Sequence, residues 1–373
     1  MDKSKLRIPE RFKDHPIFNE IIHGTNFGFM AKRGYYLRPE IIKQPEEMAK
    51  AGINWTTINM NFCQDKYTSE KVYLDFEFSS SDYEIMEITK RLHDNGVKVL
   101  FKPCLTNLDG VWMGKVSFPA AKDSQQIAGV MNNYADNWFK SYREAYKYFC
   151  DLANRAGMDS MMIGCEYFGI ECEDEQWAKV IEEVRSSYDQ PITYEFTTTS
   201  YDYATAPKHY QREWFRGLDY LSYSYYPPAA SCAEIPAEDL ANLDSSKMPS
   251  KTVQQMVEYM AHHNAHVEEV CAYFDNMPVA FTEFGTRSSH GNIMRPWTTR
   301  FKSYYDGQEQ ADYMEASFRT FSQLPQWMGM FWWKWDETQY RPHYHDDPNG
   351  DKGFTVQGKP AEEVMRRLCQ SNK

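Results

Sequence analysis

The stretch Ser81–Pro103, SDYEIMEITKRLHDNGVKVLFKP, decides the fold. Ser81 and Glu84 have the spacing of a capping box, and Ile85, Ile88 and Leu92 then recur at the interval of one helix face. Asn95-Gly96 supplies the left-handed stop that ends such a helix. Val97-Lys98-Val99-Leu100-Phe101 follows at once as a β-branched, strand-like run, and Pro103 is expected to close it.

A helix passing into a strand with almost no linker is one unit of a repeating α/β chain, and the unit recurs. Trp138, Tyr142, Ala145, Phe149 and Leu152 form a stripe ending at Ala156-Gly157, ahead of a strand at 159–166. Trp177, Val180, Ile181, Val184 and Tyr188 form another, ahead of a strand at 192–198. Working outward gives strands near 24–30, 54–60, 97–103, 159–166, 192–198, 218–226, 278–284 and 327–335, each with a helix expected after it. The expected fold is α/β, a single (β/α)8 TIM barrel over residues 1–373, with 1–20 as an N-terminal extension.

A net charge of −12 argues against nucleic acid and anionic lipid, which reward clustered Lys and Arg. Aromatic residues make up 16% of the chain, a proportion suited to stacking on the apolar faces of sugars. The charged opening Met1–Arg7 has no apolar run after it, and no stretch is long enough to span a bilayer, so a cytoplasmic protein is expected. The eight cysteines lack a CxxC pair and read as reduced core residues. Oligomeric state is left open.

Two glutamates stand at the ends of buried-strand runs: Glu166 after Met161-Met162-Ile163-Gly164-Cys165, and Glu283 after Val279-Ala280-Phe281-Thr282. A carboxylate in that position needs solvent or a partner, and the C-terminal mouth of a barrel provides it. On strands four and seven both acids face one rim. Two carboxylates in unlike surroundings can protonate a departing oxygen and stabilise an oxocarbenium-like centre, which is glycoside hydrolysis. The long segments 104–133, 284–306 and 336–359 are expected to wall the groove.

With these residues in place, the chain resembles the retaining (β/α)8 glycosidases. Lys102-Pro103 with Asp109-Gly110-Val111-Trp112, Asp219-Tyr220-Leu221 to Tyr225-Tyr226-Pro227, and Trp333-Lys334-Trp335 narrow the resemblance to glycoside hydrolase family 113, a β-mannanase family. The resemblance implies Glu166 as acid/base and Glu283 as nucleophile, with carboxyls about 5–5.5 Å apart for a retaining enzyme. It implies Tyr225 as the tyrosine bonded to the nucleophile, and Trp333 or Trp335 as the floor under the sugar, in β-mannosidic oligosaccharides. No cofactor and no catalytic metal are expected.

Tyr223 is the alternative to Tyr225 on the same strand face, and Trp332 is assigned to packing. Trp112, Lys102, Asn107 and Asp109 are further candidates for sugar contacts, with Asn26, Gln64 and Asp65 as rim polars. The clan places Asn directly before the acid/base where this chain has Cys165, and the family tends to have His, Asp and Arg where it has Cys104, Thr106 and Met113. Those departures keep open a carbohydrate-binding barrel of weak or no turnover. A metal-dependent barrel hydrolase is the third reading, from His343-Tyr344-His345-Asp346-Asp347, but its HxH pair belongs after the first strand and here follows the last. His262, His263 and His266 are expected on a polar helix face.

Overall fold

The computed structural model describes residues 5–118, 126–127, 130–131, 133–198, 208, 210–335 and 352–370. Eight parallel strands close into a barrel. They are β1 (Ile22–Phe27), β2 (Trp55–Gln64), β3 (Lys98–Asn107), β4 (Ser160–Cys165), β5 (Ile192–Thr197), β6 (Leu221–Ser224), β7 (Val279–Phe284) and β8 (Trp327–Trp332). Each strand pairs with its neighbours in chain order, and β8 returns to β1.

Outside them lie α1 (Gln44–Lys50), α2 (Asp82–Asp94), α3 (Tyr134–Ala156), α4 (Asp174–Arg185), α5 (Val253–Tyr273), α6 (Gly307–Phe321) and α7 (Pro360–Gln370). The α2 start is the expected capping box, with Ser81 accepting from Glu84 N and Glu84 accepting from Ser81 N. The helix expected after β5 is represented among the described residues by the 3-10 turn Glu213–Gly217. No helix of the described residues is long and apolar enough to cross a membrane.

β3 runs four residues past Pro103, where the sequence pattern ends it. Its pairing with β4 is confined to Leu100 and Phe101, so beyond them Pro103 has no neighbour on that side for its missing N–H to serve. β2 is equally long because its polar residues find partners. Asn59 donates to Phe27 O and Asn61 to Ala31 O, while Gln64 accepts from Trp138 Nε1.

The segment expected as an extension packs into the barrel. Phe12, Ile17 and Phe18 are buried against Ile22, Trp55, Leu100, Tyr220 and Met328, closing the N-terminal end of the interior. Chemistry is thereby left to the opposite mouth.

Gly329 lies where β8 meets β1, with φ of +127° and an added Cβ falling 2.2 Å from the carbonyl oxygen of Ile22. Gly110 has φ of +77° but open space around it. Urea denaturation should therefore show Gly329→Ala losing about 3 kcal/mol and Gly110→Ala only about 1 kcal/mol. Equal losses would mean that the β1–β8 approach is not close.

Candidate active site

Two bulges build the mouth of the barrel. Between β4 and β5 the register passes from Met162↔Thr193 to Cys165↔Glu195, and between β6 and β7 from Tyr223↔Phe281 to Ser224↔Glu283. An extra residue in one strand turns consecutive side chains to the same face. Cys165 and Thr282 both reach Glu195, and Glu166 and Glu283 follow them into one cleft. Glu166 has φ of +56°, a conformation rare for a residue with a Cβ and held here by Glu166 N donating to Glu195 O at 2.8 Å.

The cleft has a volume of about 720 Å³ and is walled by Trp112, Phe168, Arg295, Trp297, Trp333 and Phe354. A larger groove of about 950 Å³ runs between the segment 65–74 and α3, away from both glutamates. The two glutamates converge on the smaller cleft, which is therefore the candidate site.

The surroundings of the two acids differ. Glu283 lies 2.6 Å from Lys102 Nζ and accepts from Tyr226 Oη at 3.2 Å. Glu166 shares the cleft with the neutral donors Ser224 and Trp112, which favour its ionised form. Lys102, 1% exposed, also lies 2.7 Å from Glu195, which is fully buried and accepts from Thr282 Oγ1 and from Cys165 Sγ at 3.0 Å. Burial pushes the Cys165 thiol up, which keeps it a donor.

Burial raises Glu166, and the charge of Glu195 adds to the shift. Burial pushes Glu283 up to about 8 against the pull of Lys102, with Glu195 and Glu166 adding to the rise. One ammonium thus faces three carboxyls, and two of them, Glu166 and Glu283, hold their protons to higher pH than free carboxyls do.

Several expected site residues lie elsewhere. Tyr225 Oη lies 2.9 Å from His263 Nδ1, and Tyr223 Oη 3.0 Å from His266 Nε2, so both tyrosines point outward to α5 while Ser222, Ser224 and Tyr226 point inward. The alternation was right and its phase was reversed. His263 and His266 therefore lie on a buried helix face, and burial lowers them to about 3 and 4 respectively.

Trp333 lines the cleft, whereas Trp335 is buried and donates Nε1 to Gln44 Oε1, because strand alternation ends at Trp332. Trp332 packs outward as expected, its Nε1 on Phe354 O. Lys102 holds carboxylates rather than presenting itself to a sugar. Asn107 donates to Val111 O, and Asp109 accepts from Tyr67 N and Val111 N, so both shape the rim loop. Asn26 donates to Thr282 O, and Asp65 accepts from Tyr73. His343, His345, Asp346 and Asp347 lie outside the described residues.

Glu195, Ser224, Tyr226, Arg295 and Trp297 were not singled out from the sequence. Glu195 had a readable signal: it is a lone carboxylate inside the run Ile192-Thr193-Tyr194-Glu195-Phe196.

The family model described as Glycoside Hydrolase Family 113 matches residues 25–359. Among solved structures, the GH113 β-mannanase AaManA from Alicyclobacillus acidocaldarius, in complex with ManMIm, is 23% identical. The alignment covers 96% of this chain and 100% of that one, with a TM-score of 0.76. A second GH113 β-1,4-mannanase is also 23% identical over 94% of this chain and 99% of its own, at a TM-score of 0.74. A glycoside hydrolase family 5 mannosidase from Rhizomucor miehei, a mutant form in complex with mannosyl-fructose, is 11% identical over 94% and 92%, at 0.55. At these identities the likeness is one of fold. No curated protein sequence matches.

The two neighbouring tyrosines are separable by experiment. Tyr226→Phe removes a hydrogen bond to a carboxylate worth about 1.5–3 kcal/mol, so glycosidase kcat/KM should fall roughly 10- to 100-fold with little change in stability. Tyr225→Phe should leave kcat/KM within about twofold and lower the unfolding free energy by about 1 kcal/mol. The reverse pattern would restore Tyr225 as the tyrosine that acts on Glu283.

Proposed function

This chain belongs to glycoside hydrolase family 113, and from that premise we propose that it cleaves β-mannosidic linkages of oligosaccharides with retention at the anomeric carbon. That it is a glycoside hydrolase follows from the family. The finer reading is supported above all by one observation: the two carboxyls of a single cleft differ in their partners, a cation and a phenol on Glu283 against neutral donors on Glu166.

A double displacement needs one carboxyl ionised and the other protonated. Between Glu166 and Glu283 a single proton has two places, and the ammonium 2.6 Å from Glu283 favours the form with the proton on Glu166. Glu283 then attacks the anomeric carbon while Glu166 protonates the leaving oxygen. In the second half Glu166 takes a proton from water, which releases the sugar from Glu283. Tyr226 and Lys102 hold the nucleophile in place. Trp333 and Trp112 supply stacking faces for the sugars on either side of the cleaved bond.

Glu283→Ala should leave no measurable turnover on any mannoside. Glu166→Ala should lose about 10²–10⁴-fold on mannooligosaccharides but far less on an activated aryl β-mannoside, which needs little proton donation. Proton NMR of the first-formed product should show the β anomer. Equal losses on both substrates, or an α product, would remove the role assignment. A panel of gluco-, galacto- and xylo-oligosaccharides tests the sugar separately.

The pH profile tests the shared proton. The cleft is active while one proton remains on the pair, so kcat/KM should fall as pH rises through a value above the ordinary carboxylate range, because burial raises both acids. Lys102→Met removes the cation that favours ionised carboxylates and should move that alkaline limb upward. A limb at ordinary carboxylate values near 4–5 would show that the pair is not desolvated.

A further inference from the structure

After β7 the chain forms a rim segment, 285–306, that brings Arg295, Trp297 and Thr299 to the cleft. Both of its ends meet one buried histidine. His290 is 1% exposed, and its Nε2 lies 2.7 Å from Met248 O. Its Nδ1 lies 2.8 Å from Asp306 Oδ2 and 3.4 Å from Glu309 Oε2. The other oxygens of both acids are spent on backbone: Asp306 Oδ1 caps α6 at Glu309 N (2.9 Å), and Glu309 Oε1 accepts from Gly291 N at 2.7 Å. Glu309 is 6% exposed, and its Oε2, directed at the imidazole, has no hydrogen bond.

Two carboxylates meet here without a lysine or arginine; among the described residues, their cationic partner is His290. The catalytic cleft is different. Cys165, Glu195 and Glu283 also converge there, but Lys102 Nζ already holds both carboxylates.

We propose that His290 Nδ1, Asp306 Oδ2 and Glu309 Oε2 bind a divalent metal ion of the zinc or manganese class, at a structural site distinct from the catalytic cleft. Three donors of the types N, O and O suit these ions. Bonds of about 2.0–2.1 Å to a tetrahedral centre place donors about 3.3 Å apart, so the His290–Glu309 spacing already fits and the His290–Asp306 spacing must open by about half an ångström. A ligating imidazole donates its second N–H to a carbonyl or carboxylate, and Nε2 faces Met248 O. Binding releases the Nδ1 proton to solvent and leaves the two carboxylates balanced by the ion.

A bound ion would displace a proton that this cluster holds. Burial pushes Glu309 up to about 8 despite His290. His290 is raised: burial lowers it, but the bonds to Met248 and Asp306 and the charge of Glu309 more than offset that. The ion would fasten both ends of the rim segment to the start of α6 and so fix Arg295 and Trp297 at the cleft.

The test uses full-length protein stripped with chelator and then freed of it. Calorimetric titration with zinc chloride should show one equivalent bound per chain, and the unfolding midpoint should rise by roughly 5 °C at saturation. Glu309→Gln and His290→Asn should lose that equivalent and the rise, while a His343→Ala/His345→Ala double variant should keep both. Should the two site variants fold poorly, cobalt(II) spectra of the unmutated protein decide: nitrogen and oxygen ligation gives d–d bands without a thiolate charge-transfer band. No binding by the unmutated protein, a thiolate band, or an equivalent retained in folded Glu309→Gln would overturn the proposal. None of these outcomes depends on the sugar or on the roles of Glu166 and Glu283.

Discussion

The Lys102 ammonium, held between Glu195 and Glu283, is the interaction on which the cleft depends. It lies 2.7 and 2.6 Å from carboxylates on two other strands. An ion at this depth is tolerated only with partners, and removing one member of a buried pair typically costs about 3–5 kcal/mol. Its three members come from β3, β5 and β7, the alternate strands that supply one layer of inward side chains in an eight-stranded barrel. Where other layers hold apolar groups such as Leu100 and Met162, this one is ionic. That substitution converts the top of a packed core into the floor of a site.

A single cation among three acids also fixes the proton inventory. Glu195 has two further donors, Thr282 and Cys165, and reaches no solvent. Glu283 stands at the edge of the cleft with its side chain 13% exposed. The member of the trio open to a substrate is therefore the one that shares the ammonium and has fewer other donors. Glu166, across the cleft, has neutral partners. Unlike surroundings for two carboxyls are what acid and nucleophile require, and the ion pair creates the difference.

The barrel was legible because its signals are local and repeated. The Ser81 cap, the Asn95-Gly96 stop and the apolar stripes on α3 and α4 each depend on a few neighbouring residues, and all appear where expected. The two strand-end glutamates were legible for the same reason. What failed was the choice of face. Tyr225 and Tyr226 are equally aromatic, and the phase of the β6 alternation, which turns Tyr223 and Tyr225 to the α5 histidines, decides which reaches Glu283. Trp335 failed similarly, because alternation was carried past the end of β8. Glu195 went unread although its setting in an apolar run matched that of the glutamates chosen, because its role is to hold Lys102 rather than to meet the cleft.

Cys165 brings these threads together. In the resembling clan the residue before the acid/base is an asparagine directed at the sugar, whereas here a thiol turns inward to Glu195. The bulge in β4 that lifts Glu166 into the cleft is the same feature that aims Cys165 at the ion pair. A side chain committed to Glu195 is unavailable to a hydroxyl, so discrimination at the sugar has to come from the walls. The wall residues with aromatic faces or a guanidinium are Trp112, Trp297, Trp333 and Arg295. Two of these four lie on the segment whose ends meet His290. Under the proposed mechanism, the geometry of that segment governs which sugar is accepted, while the Lys102 layer beneath governs whether it is cut.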